Sequence, residues 1–128
     1  MDKEQEEYLK SDNQRTASLI DDLAGTTDVD DLMLGITEVL TETEIIPTPG
    51  RYYTFIYAPK TPRIEYDQFP LIACAEIFNW GFRGFNYHWG FQPRNYTWNE
   101  VVGFLHLVYP NEVNDLRTIP YQNFKINN

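Results

Sequence analysis

Four side chains of this 128-residue chain stand out as candidates for acid–base, nucleophilic or metal chemistry: Asp67, Cys74, His88 and His106. Catalysis needs a nucleophile, a base and an orienting group in one place. Cys74 lies within Ile72-Ala73-Cys74-Ala75. In such an apolar run a thiol is a small buried hydrophobe, unreactive because burial disfavours the thiolate. His106 has apolar neighbours four residues beyond Val102 and reads as the flank of a helix. His88 stands between Tyr87 and Trp89, where an imidazole is expected to hold a backbone carbonyl at the rim of a core. Glu65 and Asp67 flank Tyr66 ahead of Pro70 and read as solvated carboxylates. The two histidines lie 18 residues apart and share one cysteine, which matches no zinc spacing. Gly81, Gly84 and Gly90 are not followed by the Lys-Ser or Lys-Thr of a phosphate-binding loop. The expectation is a protein without catalytic residues, metal or cofactor.

The elements that must carry these residues divide the chain. Residues 1–49 hold 13 of the 19 acidic and 3 of the 10 basic residues, a net of −10, and residues 50–128 hold 6 and 7. Of the 20 aromatics, 19 follow Gly50. The pattern predicts an acidic helical arm over 1–46, a linker over 47–50 and an aromatic-rich module over 51–128. Residues 3–24 read as a frayed helix or a disordered lead, with one apolar patch at Leu19, Ile20 and Leu23.

Residues 28–42 carry a clear helical signal. Val29, Leu32, Met33, Ile36, Val39 and Leu40 fall on one stripe. Thr27 is the expected N-cap, and Asp28, Asp30 and Asp31 place negative charge in the first turn. The stripe either packs on the aromatic half or enters a partner's groove. The partner is favoured, because the 79 residues from Gly50 onward carry enough large side chains to close a core and fold alone. Val29, Leu32, Met33, Ile36, Val39 and Leu40 are therefore the expected partner-binding residues.

From Arg51 the period becomes two. Tyr53, Phe55 and Tyr57 share one face of a strand, and Tyr52, Thr54 and Ile56 the other. Residues 69–78 and 82–89 read as further strands around an Asn79-Trp80-Gly81 turn, and Gly84 suggests a bulge or tight bend. Thr97-Trp98-Asn99-Glu100 has the form of a capping box and predicts a helix through Val108. Residues 111–117 add a helical turn, and 119–126 a closing edge strand. The expected fold is α+β: a strongly bent sheet, or a partly open barrel of SH3-like size, with one capped helix and the helical arm before it.

The net charge of −9 opposes binding to a phosphate backbone, whose affinity rests on Lys and Arg. Stacking of single-stranded nucleic acid on the aromatics, with Arg83, Tyr87, Trp89 and Arg94 as the surface contact, is the weaker alternative. One cysteine suits a reducing compartment. The opening MDKEQEEYLK lacks an apolar signal region, and no run approaches the ~20 apolar residues of a membrane helix.

Three strings resemble a known module. They are Pro49-Gly50-Arg51-Tyr52-Tyr53-Thr54-Phe55-Ile56-Tyr57 with Lys60-Thr61, then Tyr66-Asp67-Gln68-Phe69-Pro70-Leu71-Ile72, then Gly81-Phe82-Arg83-Gly84-Phe85-Asn86-Tyr87-His88. Their order resembles a small β module of T-even-type tailed bacteriophages, including those of marine cyanobacteria, over residues 47–95. After His88 that module continues into a Tyr-Leu-Pro run, whereas this chain has Trp89-Gly90-Phe91-Gln92-Pro93-Arg94. The resemblance implies a small virion, neck or DNA-end-associated accessory protein, made in the host cytoplasm. It implies partners among other phage structural proteins or a second copy. It further implies that Tyr66, Asp67 and Pro70 shape a corner, with the Asp67 carboxylate accepting backbone N–H groups. A nucleic-acid-associated role at DNA ends or in packaging, and a host-directed inhibitor with a nucleic-acid-mimicking arm, are the competing expectations.

Overall fold

The computed structural model describes residues 15–60 and 64–127. It is α+β. Among the described residues are three helices: α1 (Arg15–Asp22), α2 (Val29–Val39) and a short α3 (Val113–Thr118). The described residues include eight strands: β1 (Thr43–Glu44), β2 (Tyr52–Tyr57), β3 (Ile64–Asp67), β4 (Leu71–Ile77), β5 (Gly81–Asn86), β6 (Gln92–Thr97), β7 (Val101–Val108) and β8 (Phe124–Asn127). Six form one antiparallel sheet in the order β1-β7-β2-β4-β5-β6, open at both ends, and β3 pairs with β8 in a second sheet. No helix among the described residues is long and apolar enough to cross a membrane.

The period-two reading of β2 holds. Tyr53, Phe55 and Tyr57 enter a core with Ile72, Cys74, Phe82, Tyr96, Leu105 and Leu107. The rings meet edge to face, with Phe55 at 5.3 Å and Tyr57 at 4.9 Å from Tyr96. This is the geometry aromatic quadrupoles favour. Tyr52 and Thr54 turn to the opposite face of the sheet, and the helices cover that face.

From Arg15 onward the arm is part of the fold, which corrects the expected division at 47–50; the part of the expected frayed lead that precedes Arg15 lies outside the described residues. Leu32, Met33, Ile36 and Leu40 are at most 3% exposed and share a core with Phe69, Leu71, Val108, Leu116 and Tyr121, while Val29 and Val39 pack at its margin. The partner-binding stripe is thus intramolecular. The aromatic half spends its rings on the far face of the sheet and leaves the near face for the helices. Leu19, Ile20 and Leu23 of α1 join the same core. A Cβ on Gly35 of α2 would lie 2.9 Å from Leu23, so the glycine admits this close approach.

Polar contacts fasten the arm. Arg15 donates to both oxygens of Glu112, at 2.6 Å and 3.0 Å, and the Glu112 side chain is 1% exposed. Thr16 donates to Asp115 at 2.8 Å. The linker is fixed as well. The Tyr53 hydroxyl accepts from the Thr48 amide and donates to Glu44, and β1 pairs with β7. The N-cap is Asp28, one residue after Thr27, accepting from the Asp31 amide.

The second correction concerns residues 97–108. They form a 3₁₀ turn (Trp98–Glu100) and strand β7, not a helix. Thr97 turns its hydroxyl to the side chains of Asn99 and Glu100 and caps no backbone amide, while Glu100 accepts from the Lys60 amide. Gly103 is in the left-handed region at φ 78°, which breaks a helical path. β7 replaces the expected helix, and α3 provides the helical turn expected at 111–117. Gly84 contributes by closeness rather than by bulging. A Cβ there would lie 2.8 Å from Ile72, and the register shift falls opposite it on β4, between Cys74 and Glu76.

Candidate functional site

The end of β3, the end of β5 and the stretch before β8 converge on Asp67. Its carboxylate is 2% exposed and takes four donors: the amides of Phe69 (3.2 Å) and Asn123 (3.4 Å), the Asn86 side chain (3.3 Å) and His88 Nδ1 (2.7 Å). Asn86 also donates to the Tyr96 hydroxyl at 3.4 Å, and its own oxygen accepts the His88 amide at 2.7 Å. Asn86 caps the 3₁₀ turn Tyr87–Trp89, and this cap turns the His88 ring inward. The ring stands edge-on to Tyr121 at 4.9 Å. Asp67 is therefore buried rather than solvated, and it accepts backbone N–H groups as a corner residue would. His88 holds a carboxylate, not a carbonyl. A carboxylate acceptor places the ring proton on Nδ1.

A carboxylate on Nδ1 is the orienting half of a general-base pair, which works only with a nucleophile at Nε2. His88 Nε2 is buried and has no hydrogen-bond partner among the described residues, and the side chain is 5% exposed. The visible work of the pair is to clamp three segments together. Cys74 is buried, with its thiol pushed up to about 11, first by desolvation and then by Glu44. Thiolate chemistry is suppressed there. His106 lies on β7 rather than on a helix flank and bonds the Leu40 carbonyl at 2.8 Å, tying α2 to the sheet. No cluster of three or more His, Cys, Asp or Glu suited to a metal ion occurs among the described residues.

The aromatic and basic residues expected as one contact surface occupy three places. Arg83 donates to Asn95, pairs with Glu76 at 3.7 Å and lies over the Phe78 ring. Arg94 lies 4.2 Å over Trp89, which meets Phe124, and donates to the Glu65 carbonyl. Tyr87 faces Tyr52, Phe91 and Arg117.

Phe91 and Arg117 escaped sequence reasoning. Phe91 has φ 58°, directly after Gly90 at φ 60°. A bulky residue in the left-handed region costs about 1–2 kcal/mol. The Phe91 amide donates to the Asn86 carbonyl at 2.8 Å, and its ring stacks on Phe85 at 4.9 Å. The Gly-Phe pair following a His-Trp was the available signal, and it reads as a turn without showing which ring it lifts.

A second exposed feature lies at the sheet edge. β1 pairs with β7 at Leu105 and His106, and the Leu107 amide donates to the Glu42 carbonyl, so Val101–Phe104 has no strand partner on that side among the described residues. Ile45 and Ile46 are 76% and 59% exposed, and with Trp98, Val101 and Gly103 they line a depression of about 280 Å³.

No protein-family model, no curated protein and no solved structure matches the chain.

Proposed function

We propose that this chain is a non-enzymatic bacteriophage accessory protein, a structural or assembly component of the virion that docks on neighbouring subunits. The observation that carries the reading is the open edge of β7 beside Ile45 and Ile46. An unpaired strand edge accepts an added strand through its main chain, and apolar pockets beside it select side chains. The occupant is a strand of another virion subunit, and the T-even-type resemblance of residues 47–95 supports that source. The role assigned above to the α2 stripe passes to this edge. The same reading takes the main sheet as strongly bent, of SH3-like size. The register shifts between Thr54 and Ile56 and between Cys74 and Glu76 support it, because bulges bend strands.

Mass spectrometry of purified particles tests the proposal. The chain should be present at fixed stoichiometry. Ile45→Asp with Ile46→Asp should abolish incorporation and leave thermal melting unchanged, since both side chains already face water. Absence from particles, together with a DNA affinity that falls steeply with salt, would favour a role at DNA ends instead.

A further inference from the structure

We infer that Tyr87, Phe91 and Arg117 form a binding pocket for a planar heteroaromatic ring carrying one phosphate, as in a nucleoside monophosphate or the 5′-phosphorylated end of a strand. This does not rest on the virion reading. The pocket has a volume of about 400 Å³ and is lined by Tyr87, Gly90, Phe91 and Arg117. That is the scale of a small-ligand site. Two consecutive left-handed residues, Gly90 and Phe91, raise the Phe91 ring out of the turn, and Phe85 backs it. Phe91 stays 47% exposed. Strained backbone that displays an aromatic ring is a feature of ligand clamps. An open ring of this kind stacks on any nucleobase.

The charge of the pocket selects the second half of the ligand. Arg15, Arg51 and Arg83 each have a carboxylate within 4 Å, and Arg94 donates to a carbonyl. Arg117 lies 5.4 Å over the Tyr87 ring and forms no ion pair among the described residues. Among the described residues Arg94 and Arg117 are thus the arginines without a carboxylate partner; Arg94 is held by a carbonyl and the Trp89 ring, and Arg117 presents its planar cation at the pocket, suited to a single phosphate. A run of phosphates would meet the acidic remainder of the molecule, so the site fits one nucleotide and not the length of a strand.

Titration of the full chain with AMP, followed by amide NMR, tests the inference. AMP should shift the amides of Tyr87, Gly90, Phe91 and Arg117 with a Kd of about 1 mM or below. Adenosine should bind about tenfold more weakly. Arg117→Gln should remove that difference. Phe91→Gly, which frees the backbone and deletes the ring, should fold and lose binding of both. A 5′-phosphorylated oligothymidylate separates the sources: affinity equal to that of AMP marks a free nucleotide, and tighter binding marks a strand end. The inference is overturned if AMP moves none of these amides, if inorganic phosphate moves them equally, or if binding survives both substitutions.

Discussion

Asp67 joins three segments through one carboxylate, so its replacement leaves several buried donors without partners. Asp67→Leu should cost about 3 kcal/mol, because each orphaned buried polar group costs ~1–3 kcal/mol. Chemical denaturation reads this directly. Cys74 is 3% exposed in an apolar core, and Cys74→Ser should destabilise by about 1–3 kcal/mol through an unpartnered hydroxyl. Retained stability with loss of any measurable binding would instead mark Cys74 as a functional thiol. The burial of Cys74 was legible from its apolar neighbours. The Asp67–His88 pair was not. The two residues are 21 positions apart, and they meet only because β4 and β5 form a hairpin that returns the chain to the end of β3.

At the scale of elements, α2 and β7 decide the architecture together. The helical stripe was readable from its spacing, but its destination was not, because spacing reports amphipathicity and not what lies opposite. Leu32→Asp with Ile36→Asp should unfold the whole chain, since both side chains are essentially excluded from water and a buried unpaired carboxylate is costly. Loss of self-association with melting unchanged would place the stripe at an interface. β7 was misread for a physical reason. Val-Val-Gly-Phe-Leu-His-Leu-Val is apolar at both period two and period 3.6, and the Thr97…Glu100 spacing tipped the balance towards a helix. The three β-branched valines and Gly103 were the opposing signals.

For the whole molecule, one core on each face of the main sheet means that the aromatic half is incomplete by itself. Residues 50–128 expressed alone should melt without cooperativity, and adding back residues 1–49 should restore near-ultraviolet circular dichroism. Alkaline pH offers a second measurement. Burial raises Tyr57 from 10.0 to about 12 and Cys74 from 9.0 to about 11, and pushes Tyr53 further up. These groups hold their protons in the folded chain after the unfolded chain has released them. Stability is therefore full below pH 9 and falls between about pH 9 and 12, where the unfolded state binds fewer protons. Denaturant midpoints recorded across that range should decline with rising pH, and a flat profile would mean that these groups titrate alike in both states.

The Arg15–Glu112 pair also has a consequence for synthesis. The carboxylate that receives Arg15 is made 97 residues later, so a ribosome working at ~5–20 residues per second produces it some 5–20 s after the arginine. For most of that interval the apolar side of α2 has been made, whereas Val108, which helps to cover it, comes only at the end, and Leu116 and Tyr121 come after it. The nascent chain thus carries an uncovered greasy helix flanked by aspartates and glutamates for most of its translation. Its yield in a host should depend on the cell's capacity to shelter that segment more than on the stability of the finished fold.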